Sequence, residues 1–135
     1  MPAPLFEETY QDDSVRFTVT LDEAFVFGVG FIGKGTIEGT HAFIRMVGAC
    51  GDIATGRGHK LRGTVDLSRM NGAPLRVQLI LSKWLLGQRD AIDRVAVCGG
   101  GRFERKLAKA VTSAARLSSV RFFDGVAEAE GWVRG

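Results

Sequence analysis

Residues 24–31, AFVFGVGF, are apolar on both faces of an extended strand. A strand with no polar face needs cover on both sides, so it belongs inside a sheet flanked by packing layers. The segment before it, Ser14–Leu21, alternates instead. Val15, Phe17, Val19 and Leu21 share one face, and Arg16, Thr18 and Thr20 share the other, the pattern of a half-buried strand. Asp22 and Glu23 supply a turn between the two, which predicts an antiparallel hairpin.

The period then changes. Gly33–Gly39 is a glycine-rich joint, and Thr40–Thr55 reads as a helix capped by Thr40. Its apolar residues, Phe43, Met46, Val47, Cys50, Ile53 and Ala54, recur at steps of three and four. Leu61–Leu67 alternates as a third strand, and Ser68–Ala73 reads as a loop. Pro74–Leu86 is a helix, with Leu75, Leu79, Trp84, Leu85 and Leu86 apolar and Gly87 as its stop. Arg94–Cys98 is a fourth strand. Arg102–Ala115 is a helix with Phe103, Leu107, Ala110, Val111 and Ala114 on one side. Val120–Phe123 is a fifth strand, and Val126–Val133 a last helix. Strands alternating with helices predict right-handed crossovers and a largely parallel sheet. The expected fold is therefore α/β, a mixed five-stranded sheet covered by about four helices.

The 135 residues, 45% apolar and 24% charged, suit one globular domain and not a disordered chain, a disulfide scaffold or a membrane span. Residues 1–13 read as an acidic extension and 14–135 as the domain. The start, MPAPLFEETYQDD, lacks the features of a secretory signal, so a cytoplasmic location is expected, with Cys50 and Cys98 as buried thiols. The net charge is only +3. The densest basic cluster, Arg102, Arg105, Lys106 and Lys109 around Glu104, reads as a solvated helix face, so no nucleic-acid partner is expected. The doubly apolar second strand is interior, while the first can be an edge. An exposed edge can pair with a second copy, so a homodimer is expected unless the acidic extension covers that edge.

Two glycine clusters imitate phosphate loops. In Gly28-Val-Gly30-Phe-Ile-Gly33 the intervening residues look like strand, and Gly35 stands where a phosphate loop needs a hydroxyl. After Gly99-Gly100-Gly101, Glu104 stands where a dinucleotide fold needs glycine. Both read as tight packing or turn positions. No residue pattern declares catalysis. His41 and His59 have no acid at metal-ligand spacing. Cys98, ahead of a helix N-terminus, is the one candidate nucleophile, and it reads more simply as structural. No catalytic residue, cofactor or metal is expected.

The segment Val65-Asp66-Leu67-Ser68-Arg69-Met70 resembles the end of the third strand in STAS domains, the SpoIIAA-like fold of anti-sigma-factor antagonists. The stretches RVAVCGGG-RFERKLAKAV, from Arg94, and VRFFD-GVAEAEGWV, from Val120, are similar to small stand-alone SpoIIAA-like bacterial proteins of STAS/SEC14 type. The resemblance covers residues 14–134 and implies a STAS-like sandwich. It implies a non-enzymatic regulatory or protein-binding module. In phosphorylatable members a serine opens the helix after this strand. Aligned from Asp66, those positions fall on Pro74, Leu75 and Arg76, which carry no hydroxyl. The resemblance thus implies an unswitched docking surface formed by Ser68, Arg69, Asn71, Pro74 and Arg76. Its alternative is a SEC14-like carrier of a lipid or other small apolar ligand, with Phe17, Phe25, Phe27, Phe31 and Phe43 lining a pocket.

Overall fold

The computed structural model describes residues 3–88, 90–114 and 119–135. Its elements follow the order β1 (Phe6–Gln11), β2 (Val15–Leu21), β3 (Val26–Gly33), α1 (Ile37–Gly56), β4 (Leu61–Met70), α2 (Leu75–Leu86), β5 (Ile92–Cys98), α3 (Arg102–Ala114), β6 (Val120–Phe123) and α4 (Val126–Arg134). The strands form one sheet in sequence order. β1, β2 and β3 pair antiparallel, and β3 to β6 pair parallel. The mixed α/β architecture is as expected, but the sheet has six strands, not five.

The extra strand is β1, which lies within the acidic segment read as an extension. Phe6 and Tyr10 pack on the core, and between them Glu8 pairs with Arg45 of α1 at 2.5 Å. A glutamate on the inward side breaks the apolar alternation, which hides the strand from a pattern reading. β2 is consequently interior, and the edge on this side is β1.

Crossovers of one hand between neighbouring parallel strands place their helices on one face. The larger core packs residues of α1, α2 and α3 against that face, including Phe17, Val19, Met46, Cys50 and Val97. α4 covers the opposite face, where Ala129, Val133 and Trp132 meet Val26, Ala96 and Cys98. Arg134 ties α4 back to the β2–β3 turn through Asp22 at 2.6 Å. In that turn Phe25 takes φ +62° and stacks on His59.

α1 begins at Ile37, one turn earlier than expected, because its cap is Thr36 and not Thr40. The Thr36 hydroxyl accepts from the Gly39 amide at 3.0 Å and donates to Asp12 at 2.6 Å. Asp12 also accepts from Tyr10 and from the amides of Ser14 and Val15. One carboxylate thus organises the β1–β2 turn and the start of α1 together. The Thr36 hydroxyl and the Ser14 amide, ahead of its other partners, hold the Asp12 carboxyl well below the usual carboxylate range. Gly39 is required by this arrangement. A Cβ there would sit 2.9 Å from the Thr36 hydroxyl and 3.0 Å from Val15.

Candidate functional site

Helix α1 lies hard on the sheet. It buries Met46, Val47, Cys50 and Ala54. Helix α2 does not. It packs mainly on its neighbours α1 and α3, and Val77 is its one buried residue. Between α2 and the sheet lies an apolar cavity of about 180 Å³. Its floor is built from alternate residues of the parallel strands, Val65, Leu67, Val95 and Val97. α2 roofs it with Val77, Leu81, Trp84 and Leu85, and α3 adds Ala108, Val111 and Thr112.

Four of the five phenylalanines proposed as pocket residues, Phe17, Phe27, Phe31 and Phe43, line this cavity. Phe17, Phe31 and Phe43 form a chain of ring contacts. Phe17 lies 5.2 Å from Phe31 and 6.0 Å from Phe43, and Phe43 meets Trp84 edge-on at 6.3 Å. Phe27 occupies the space that a side chain on Gly63 would need. Phe25 is not among them, being held at the hairpin turn. Of the five residues read as the apolar side of α2, Trp84 and Leu85 turn inward, whereas Leu75, Leu79 and Leu86 point outward and are 68%, 60% and 46% exposed. Of the α3 residues expected on one side, Val111 lines the cavity and Ala110 is exposed. The side chains of Phe103, Leu107 and Ala114, together with residue Ala115, lie outside the described residues.

The lining is almost without polar groups, which decides what the cavity can do. Thr36, Thr40, Gln78 and Thr112 reach its walls, and each has a partner elsewhere. Thr40 donates to the carbonyl of the cap residue Thr36, Thr112 to the Ala108 carbonyl of its own helix, and Gln78 to the Ala73 carbonyl at 3.0 Å. Water in a cavity needs two to four polar partners, so this space suits hydrocarbon. An apolar ligand seated in this space of about 180 Å³ would cover apolar lining otherwise left bare, at about 25 cal/mol per Å².

The residues expected to form a docking surface divide between two elements. Ser68 and Arg69 are strand residues, because β4 runs on to Met70 where a loop was expected. Asn71 donates its amide to the Gly33 carbonyl at 2.9 Å. Pro74 caps α2 without a side-chain hydrogen bond, and Arg76 lies in the first turn. All five are exposed.

The glycine clusters are strand and turn positions, constrained at Gly33 and Gly99, where φ is positive and a Cβ would clash. Gly28, Gly30 and Gly33 lie in β3. Gly99 and Gly100 take φ +71° and +80° in the β5–α3 turn, where Gly99 lies against Asp66 and Ser68. Burial pushes both the Cys50 and the Cys98 thiol up, with the Asp66 charge adding to the effect at Cys98. This runs opposite to activation. Among the described residues no group of three His, Cys, Asp or Glu side chains could hold a metal ion, and no helix is long and apolar enough to cross a membrane.

One solved structure similar to this chain is an uncharacterised protein of the DUF3478 family from Shewanella loihica PV-4. It aligns with a TM-score of 0.64 over 93% of this chain and 98% of that one, at 16% sequence identity. That protein is described as having a SpoIIAA-like fold. The fold of this chain is SpoIIAA-like. No family model matches the sequence, and no curated protein matches it. On the SpoIIAA-like frame, the cavity lies beneath the helix that follows β4. Pro74, Leu75 and Arg76, where the resemblance placed a phosphoacceptor, are the residues that open that helix.

Proposed function

We propose that this chain is a non-enzymatic binding module that holds a small apolar ligand between its sheet and α2. The observation that carries this reading is the hydrocarbon-lined cavity under a helix that buries one residue. Its volume slightly exceeds that of an engineered cavity of about 150 Å³ that takes up benzene. The ligand class is therefore a single ring or a short acyl segment, recognised by shape and apolarity.

The test is thermal unfolding with benzene and with hexanol as probes. A ligand at about 100 times its Kd stabilises by about 2.7 kcal/mol, a rise of several degrees in Tm. Val77→Phe, which places a ring in the cavity, should abolish the rise without unfolding the protein. Native mass spectrometry of the freshly purified chain supplies the complementary readout, a copurified apolar mass displaced by either probe. A wild type whose Tm is indifferent to both probes contradicts the reading.

A second reading is favoured by the exposure of Ser68, Arg69, Asn71, Pro74 and Arg76. In it, the end of β4 and the start of α2 dock a protein partner, as the resemblance implies for a cytoplasmic bacterial regulator. Alanine substitutions at these five positions would remove that partner from pull-downs. Pull-downs unchanged by them count against it.

A further inference from the structure

The sheet ends in β1 on one side and in β6 on the other. The acidic segment that covers β2 thus becomes an edge in its own right. β1 makes its main contacts with β2 and α1, which leaves a row of backbone groups along its far side.

The alternation of hydrogen bonds shows which groups those are. The Asp12 amide donates to the Val15 carbonyl. Bonded and non-bonded positions alternate along an antiparallel pair, and the β1–β2 register runs unbroken from Phe6 to Gln11. The even-numbered residues of β1 therefore bond to β2, and Glu7, Thr9 and Gln11 aim N–H and C=O at the free edge. The hydroxyl contact of 2.7 Å between Thr9 and Thr18 agrees, because side chains lie closer at non-bonded positions. At the other edge the Val95 amide donates to the Ser119 carbonyl, so the four residues of β6 aim only Val120 and Phe122 outward.

Two copies related by a two-fold axis apply one patch twice. For β1, an antiparallel register centred on Thr9 uses all three outward residues. Thr9 meets Thr9 of the second copy, Glu7 meets Gln11 in both directions, and each bonded pair exchanges two hydrogen bonds. Between them Glu8 meets Tyr10, so no acid faces an acid. Moving the axis to Glu8 sets Glu8 against Glu8, and moving it to Tyr10 sets Glu8 against Asp12. Like charges directly opposite are destabilising. In β6 the register that uses both outward residues sets Arg121 against Arg121. β1 is self-complementary where β6 is not.

The Thr9-centred register also matches charge. Gln11 stands opposite Arg16 of β2. Glu7 of the second copy, next to Gln11, falls in the same row on the same face, about 10 Å from Arg16 at the usual strand spacing. Within one chain Glu7 stands opposite Thr20, four residues away along the pair. Glu7 and Arg16 are both exposed, and neither is in an ion pair among the described residues. An inward-pointing charge can block an edge from pairing. Glu8 is such a charge, but Arg45 already neutralises it within the chain, and it meets only Tyr10 across the seam.

We propose that the chain forms a two-fold dimer through β1, with Thr9 on the axis and each Glu7 in the row of the partner's Arg16. No residue of β1 lines the cavity, so the dimer stands apart from the ligand reading.

The experiment is sedimentation velocity of the purified full chain over a concentration series, at low and high salt. We expect a reversible monomer–dimer equilibrium. Thr9→Pro removes an N–H that points away from β2, and an edge position of this kind tolerates proline. It should abolish the dimer. E7R and R16E should each weaken dimerisation about tenfold at low salt, since symmetry counts each pair twice, and the loss should shrink in high salt. The double variant E7R/R16E should recover most of it, which a purely local effect within one chain would not do. Circular dichroism checks that each variant is folded, and if Thr9→Pro is not, the charge exchange decides alone. A wild type that stays monomeric at every concentration overturns the proposal. So does a dimer that persists in folded Thr9→Pro, or a double variant that dimerises no better than the single ones.

Discussion

Helices α1 and α2 lie side by side over the same face of the sheet, and their sequences look alike. Each strings apolar residues at steps of three and four. α1 nevertheless buries six residues and α2 buries one. The difference begins at their starts. α1 is fixed by Thr36, Asp12 and the bare backbone of Gly39, which let its first turn meet Val15 and Tyr10 closely. α2 starts at Pro74 with no side-chain cap and rests on its neighbours. The helix anchored at its first turn is the one that buries six residues, and the helix without that anchor roofs the cavity.

The contrast can be broken most severely in the core. Met46 of α1 is fully buried, so Met46→Ala should cost about 2–5 kcal/mol. Leu81→Ala, on the half-buried inner side of α2, should cost less than about 2 kcal/mol because space already exists there. Urea unfolding of the two variants gives the ranking directly, and equal losses would mean that α2 is as tightly seated as α1.

The next effect is one of sign. Within α1, a Cβ added at Gly48 or Gly51 would meet nothing within 4 Å, whereas one at Gly39 would have three close neighbours. Gly48→Ala and Gly51→Ala should each stabilise by about 0.5–1 kcal/mol. Gly39→Ala should destabilise by about 1–3 kcal/mol, the range for forced overpacking. Stabilisation by all three would show that the start of α1 is not the anchor.

That same anchor makes stability sensitive to acid. The Asp12 carboxyl lies lower in the folded chain than its unfolded value of about 3.9. Its contribution is therefore present above about pH 4 and is lost as pH falls toward the lower folded value. Asp12→Asn should flatten this part of the stability–pH curve, and Thr36→Ala should remove about 1 kcal/mol at neutral pH. The smallest effect belongs to the roof's outer side. L75N/L79N should change stability by under about 0.5 kcal/mol per site, which separates an outward-facing side of α2 from a misjudged core.

Much of the architecture was legible in the chain. Alternation between period two and period 3.6 along the chain, with Pro74 and Gly87 bounding α2, located all four helices and five of the strands. β1 escaped because Glu8, inward-facing, finds its partner in Arg45, 37 residues away. The start of α1 escaped for a similar reason. Gly39 looks like a helix breaker until Asp12 and Thr36 are brought to it. The cavity was legible only as a surplus of phenylalanines, since a sequence of apolar residues does not say whether they meet. Leu75, Leu79 and Leu86 are as apolar as Trp84 and Leu85, and only the standing-off of α2 turns three of them outward.

The central claim is that the space under α2 is a ligand site, and xenon tests it most directly. A crystal of the protein under xenon pressure should show the gas bound between Phe43, Val77 and Trp84 in the wild type and absent in Val77→Phe. A wild-type crystal in which α2 has closed onto the sheet and no xenon enters would contradict the account.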